Sequence, residues 1–131
     1  MIGLDSNVLV RYLTQDDAVQ SKKPDQLIEE ALNAGEPLYL NHIVLCEVSW
    51  VLGRAYGYST SELADTIEKI LTAAQFVFED KNSLWQALAA FRTSGPDFAD
   101  CLIGVRNASA GCVTTLTFDK RAGRLPQFSL S

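Results

Sequence analysis

Five carboxylates stand where chemistry is possible: Asp5, Glu47, Asp97, Asp100 and Asp119. Asp5 follows the apolar run Met1 to Leu4, and Asp119 follows the apolar stretch Val113 to Leu116 by a few residues. Glu47 interrupts Ile43-Val44-Leu45-Cys46-Glu47-Val48-Ser49-Trp50-Val51-Leu52, and Asp100 lies among Phe98, Ala99, Cys101, Leu102 and Ile103. A carboxylate in such surroundings is costly unless it is paired or bound to a cation. Asp97 and Asp100 are three apart and share a helix face. The five account for the whole excess of 16 acids over 11 bases, so the remaining chain is electrically balanced. Carboxylates gathered to ~4 Å repel by about 4 kcal/mol per pair at an effective dielectric near 20, so gathering them calls for protonation or a cation. Oxygen donors without clustered His or Cys select Mg²⁺ or Mn²⁺. Two such ions about 3.5–4 Å apart suit in-line attack of water on a phosphodiester.

Each acid also has a plainer use. Asp5 can cap a helix, as can Asp97 after Gly95-Pro96, and Asp119 in Thr117-Phe118-Asp119-Lys120 can be a turn residue. For Glu47 and Asp100 the desolvation argument leaves less room for a structural role. His42 is the only histidine, so a two-histidine ribonuclease mechanism is unavailable and any Ser-His or Cys-His nucleophile must use that ring. It reads as a polar residue at a strand end. Cys46, Cys101 and Cys112 are odd in number and lack a Cys-x-x-Cys spacing, which fits a reducing cytoplasm and neither a disulfide framework nor a zinc site. Cys46 and Cys101 should point to other faces of their helices than the neighbouring acids and pack. Trp50, Tyr56 and Tyr58 read as core or interface. Arg11, Lys120, Arg121 and Arg124 lie near the acids in sequence and could hold phosphates, or could equally be solvated surface. The net charge of −5 argues against a protein that simply coats nucleic acid, though not against one that cuts it.

At 131 residues the chain predicts a single domain spanning 1–131 with one core. No apolar run reaches the ~20 residues of a membrane span, and the acid at position 5 predicts no secretory signal. Met1 to Leu4 reads as a strand, and Asn7 to Leu13 as a helix. Asp16 to Asn33 reads as a helix that Pro24 either kinks or restarts. Leu38 to Asn41 is a second strand. Ile43 to Tyr56 is a helix apolar almost all round, hence buried and closed by Gly57. Ser59 to Glu62 carries a capping-box pattern that opens a helix to about Ala74. Phe76 to Phe78 is a third strand, Asn82 to Arg92 a helix, Ser94-Gly95-Pro96 a turn and Asp97 to Ala108 a helix stopping near Gly111. Val113 to Leu116 is a fourth strand, and Gln127 to Leu130 a short edge strand. Short apolar strands alternating with helices predict a three-layer α/β/α domain, Rossmann-like, with a central parallel sheet of four or five strands. In such sheets the working site lies beyond the strands' carboxyl ends, where the acids fall.

The run Asp5-Ser6-Asn7-Val8-Leu9-Val10-Arg11-Tyr12-Leu13, Glu47 in an apolar helix, Asp97-Phe98-Ala99-Asp100-Cys101-Leu102-Ile103 and Thr117-Phe118-Asp119-Lys120 together resemble the PIN domain, nearest to VapC-type toxins of bacterial and archaeal toxin–antitoxin pairs. The resemblance spans Leu4 to Arg124. It implies a Mg²⁺- or Mn²⁺-dependent endoribonuclease acting on transfer or ribosomal RNA, a homodimer, and a cognate antitoxin protein that blocks the site. Asp5, Glu47, Asp100 and Asp119 match the family's acidic tetrad and Asp97 an accessory acid. Asn7 and Thr117 match positions that orient the carboxylates. Pro24 departs from the pattern, since relatives often continue a helix there, on the edge facing antitoxin or RNA.

On this reading Asp5 and Asp100 ligate the ion directly, and Glu47 and Asp119 bind a second ion or orient the attacking water. Cleavage then leaves a 5′-phosphate and a 3′-hydroxyl. The rival reading is a catalytically silent PIN-like module that binds RNA or protein. Phosphoryl transfer to an aspartate fits less well: Asp5 stands alone after the first strand, and Asn7 occupies the place of the second Asp that a phosphatase would want.

Overall fold

The alternation of apolar runs with amphipathic stretches produces the expected mixed α/β chain. The structure, a computed structural model, describes residues 1–14 and 18–131. Their order is β1 (Ile2–Gly3), α1 (Ser6–Thr14), α2 (Ala18–Asn33), β2 (Leu38–Leu40), α3 (His42–Arg54), α4 (Thr60–Thr72), β3 (Phe76–Phe78), α5 (Lys81–Ser94), α6 (Phe98–Ser109), β4 (Thr115–Thr117), a 3₁₀ turn (Ala122–Arg124) and β5 (Phe128–Leu130). The start of a helix at Asp16 lies outside the described residues. Pro24 falls within α2, so no second helix begins there.

The chain forms two compact units interleaved in sequence, Met1–Ser59 with Thr72–Glu79, and Thr60–Leu71 with Asp80–Ser131. In the first, β1, β2 and β3 form a parallel sheet in that order, with Ile2 opposite Leu38 and Leu38 opposite Phe76. In the second, β4 and β5 pair in parallel, Thr115 opposite Phe128. Five strands and wholly parallel pairing are as expected, but one continuous sheet of four or five strands is not what forms. The strands make a three-stranded and a two-stranded sheet, because each is only two or three residues long and sustains few ladder bonds.

In the first unit the core is built from Leu9 of α1, Ile28 of α2, Leu38 and Leu40 of β2, and Leu45 and Leu52 of α3, all nearly inaccessible. The composition of helix α3 predicts burial all round, and the structure corrects this. Ile43 and Trp50 are 69% and 40% exposed, and with Glu47 they form an outward stripe at spacings of four and three. Apolar content alone does not reveal which face lacks a neighbour. The Asn41 side chain accepts the Val44 N–H at 2.9 Å to start this helix. Glu79, just past β3, accepts the His42 N–H at 3.0 Å and stands 3.8 Å from its ring, so the sole histidine serves the helix start.

In the second unit Leu84, Phe98 and Leu125 are fully enclosed, and Phe91 meets Phe98 edge to face at 6.0 Å. Helix α5 is capped by Asp80, which accepts from the Ser83 N–H and hydroxyl and from Arg106. It ends at Gly95 in the left-handed region, φ 86°, where a side chain would be strained. The fourth strand starts two residues later than the apolar run suggests. Val113 is fully exposed, and pairing begins where the Thr115 N–H reaches the Gln127 carbonyl.

Candidate functional site

Each unit assembles its own group of acids. In the first, Asp5 follows β1, and its carbonyl accepts the Leu9 amide to open α1. Its Oδ1 accepts the Ser6 N–H at 2.8 Å. The Ser6 hydroxyl lies 3.5 Å from that same oxygen and 3.1 Å from Glu47 Oε1. Asp5 and Glu47 are thus linked through one buried serine. Glu47 also borders a shallow groove of about 300 Å³ lined by Trp50, Val51, Arg54 and Ala55. Asp5 stands in the lining of an otherwise apolar groove of about 250 Å³ between β1 and α2, with Val8, Leu27 and Ile28.

In the second unit Asp97 caps α6, its side chain accepting the Asp100 N–H at 2.9 Å. Asp119 Oδ1 accepts the Arg121 and Ala122 amides at 2.7 and 3.1 Å, so it caps the 3₁₀ turn, and its own N–H donates to Thr117 Oγ1 at 3.0 Å. The plainer roles of Asp97 and Asp119 are therefore real. They do not exhaust these side chains, because both act on Asp100. Burial pushes the Asp100 carboxyl up to about 6, helped by the negative charges of Asp97 and Asp119 and a side-chain hydrogen bond with Asp97. The Arg121 guanidinium opposes this and is held by the Gly95 carbonyl. Asp100 therefore feels the negative charges of two other aspartates within this unit, opposed by the cation Arg121. Within neither unit, among the described residues, do three His, Cys, Asp or Glu side chains stand together as a finished metal cage.

A family model of the PIN domain matches residues 2–127. The chain belongs to the PIN domain family. It is also 25% identical over 122 residues to a VapC ribonuclease of Aquifex aeolicus (strain VF5), covering 93% of this chain and 90% of the relative. Membership brings with it the PIN-like α/β/α class that the element order suggests.

On this PIN chain the sequence-derived positions divide clearly. Asp5 meets Glu47 through Ser6, and Asp100 meets Asp97 and Asp119. Asn7 is exposed, and among the described residues it makes no hydrogen bond to a carboxylate. Thr117 supports Asp119 through the backbone, not through the carboxylate. Cys101 is buried, and burial with the nearby charges of Asp100 and Asp97 pushes its thiol up to about 12, an inert packing residue as expected. Ser6 escaped the sequence reading as a site residue. Its signal was a small polar side chain between the first acid and a helix whose next turn is apolar.

Proposed function

We propose that this chain is a Mg²⁺- or Mn²⁺-dependent endoribonuclease acting in the cytoplasm as the toxin of a type II toxin–antitoxin pair, a homodimer with transfer or ribosomal RNA as substrate and a cognate antitoxin as partner. Support comes from PIN family membership and the VapC ribonuclease relative. The observation that carries the reading is the state of Asp100, whose carboxyl is raised to about 6 by burial and then by the negative charges of Asp97 and Asp119, a charge excess that a divalent cation would relieve. The donor chemistry fits such an ion, since every candidate ligand offers oxygen. Asp5, Glu47, Asp97, Asp100 and Asp119 are the proposed ligands. A bound ion of this kind supplies Lewis-acid polarisation of the phosphodiester and a lowered pKa for the attacking water.

The chain's own groups do the positioning. The Ser6 amide and hydroxyl fix one oxygen each of Asp5 and Glu47, and the Arg121 and Ala122 amides fix Asp119. Arg121, close enough to Asp100 to lower its pKa, is placed to meet a phosphate once Asp100 is neutralised.

The test is cleavage of labelled total transfer RNA with EDTA, Mg²⁺ or Mn²⁺, comparing wild type with Asp5→Ala and Asp100→Ala. Cleavage that needs the ion, leaves a 5′-phosphate and disappears in folded variants is expected. Ion-independent cleavage or full activity in either variant would sink the assignment. The alternative reading is a catalytically silent PIN-like module that binds RNA or protein. Ion-dependent stabilisation with RNA binding but no cleavage, across transfer and ribosomal RNA, would select it.

A further inference from the structure

Ser6 is the first residue of α1 and is 8% exposed. The helix itself does not use its hydroxyl, because the Asp5 carbonyl already accepts the first amide of the turn, that of Leu9. The hydroxyl faces two carboxylates, at 3.1 Å from Glu47 Oε1 and 3.5 Å from Asp5 Oδ1. A hydroxyl has one proton to donate. The shorter distance gives it to Glu47, while the Ser6 amide, at 2.8 Å, serves Asp5. Among the described residues no hydrogen bond reaches Asp5 Oδ2 or Glu47 Oε2. Each carboxylate is therefore held by one oxygen and offers the other. Glu47 stands between exposed Ile43 and Trp50 on the outward stripe of α3, where an untethered glutamate would spread over many rotamers.

We propose that Ser6 is a positioning residue for the divalent cation, its hydroxyl and amide together restraining Glu47 and Asp5, two of the proposed ligands, through one oxygen of each. This rests on the nuclease reading above. Removing such an outer partner of a metal ligand typically weakens binding by about 10- to 100-fold.

The experiment is calorimetric titration of the full chain with Mn²⁺ in wild type, Ser6→Ala, Ser6→Thr and Ser83→Ala, alongside Tm values in EDTA and RNA cleavage. Ser83 is the control, 2% exposed, with a hydroxyl that donates at 2.9 Å to Asp80, a carboxylate outside the proposed ligand set. Ser6→Ala should bind Mn²⁺ at least about 10-fold more weakly, and Ser6→Thr should recover most of that loss. Ser83→Ala should lower the Tm and leave Mn²⁺ affinity unchanged. Unchanged affinity in Ser6→Ala overturns the positioning role while leaving the nuclease reading standing. A loss that Ser6→Thr fails to restore, or one that Ser83→Ala reproduces, also overturns it, since mere loosening of the fold then explains the effect. If wild type neither binds Mn²⁺ nor cleaves RNA, the nuclease reading falls and this role falls with it.

Discussion

The Asp97 side chain caps the helix that carries Asp100, accepting the Asp100 backbone N–H at 2.9 Å, and the two side chains are themselves hydrogen-bonded. One residue thus fixes the start of α6 and, after burial, helps to raise the pKa of its neighbour. A helix N-terminus favours an anion by about 0.3–1 kcal/mol, which alone would hold the Asp100 carboxyl low. Burial and the charges of Asp97 and Asp119 outweigh it and push the group up to about 6. The Asp100 carboxyl is therefore held well above the ordinary carboxylate range by its own surroundings.

A stability signature follows from that balance. The carboxyl of Asp100 releases its proton near 3.8 in the open chain and near 6 in the folded one, so the folded state holds the proton between these values. The contribution is fully present below about pH 4 and is lost as pH rises through 6. A two-unit shift corresponds to about 3 kcal/mol, and solvent screening of this half-buried group reduces that to about 1 kcal/mol. Asp100→Asn should therefore have a higher Tm than wild type at pH 7.5 in EDTA, and the gain should vanish near pH 4. Calorimetric Tm values that differ equally at both pH values would contradict this origin.

The two roles of Asp97 can be separated by a pair of variants. Asp97→Asn keeps an acceptor for the Asp100 N–H and removes the charge, whereas Asp97→Ala removes both. Asp97→Ala should lose about 1 kcal/mol of unfolding free energy through the missing cap. Asp97→Asn should stay within about 0.5 kcal/mol of wild type while lowering the Asp100 pKa, read by carboxyl carbon chemical shifts. An Asp100 titration identical in wild type and Asp97→Asn would show that Asp97 acts only as a cap.

Much of this was legible in the sequence wherever the signal was local. The strand Phe76 to Phe78, the Asp97 cap, the turn at Gly95 and the acid after the first strand each depend on a few adjacent residues, and each lies where it was read. What failed was non-local. The open face of α3, the division of five strands into two sheets and the bridging role of Ser6 depend on which distant segment lies alongside. Ser6 and Glu47 are 41 positions apart, and nothing in Asp5-Ser6-Asn7 distinguishes a serine that caps from one that reaches another helix. The resemblance pointed instead to Asn7, which lies exposed. Family patterns mark a neighbourhood, and only packing decides which side chain in it makes the bond.

Gly104 tests the packing of the second unit. A Cβ at this buried position of α6 would lie 2.6 Å from Phe128 Cε2 and 3.2 Å from Gln127 Cβ. The helix therefore has glycine there because β5 and the residue before it press against its backbone, despite the ~1 kcal/mol that glycine costs a helix interior. Gly104→Ala improves helix propensity but overpacks this contact, so a net loss of about 1–3 kcal/mol is expected in urea unfolding. Gly35, where a Cβ meets nothing within 4 Å but φ is +76°, gives a contrasting case. Gly35→Ala should be destabilising through the backbone alone and leave the Phe128 ring environment unchanged by NMR.

Asp119 combines a turn-capping contact with a place in the proposed ligand set. Its Oδ1 accepts the Arg121 and Ala122 amides, its N–H is fixed by Thr117, and its charge reaches Asp100. Asn at this position preserves the carbonyl acceptor that holds the turn and removes only the negative charge. Asp119→Asn should therefore keep the wild-type Tm within about 2 °C, a shift well under 1 kcal/mol. It should still lose about 100-fold or more in RNA cleavage, the scale of removing one electrostatic stabiliser from a reacting centre. Asp119→Ala should lose both activity and about 1 kcal/mol of stability, since two amides are left without their acceptor. Thr117→Val, which removes the hydroxyl that receives the Asp119 N–H, should fall between them, with reduced stability and a partial loss of cleavage. If Asp119→Asn cleaves RNA like wild type while Asp119→Ala unfolds early, the residue is a turn cap and nothing more, and the ligand set must be drawn without it.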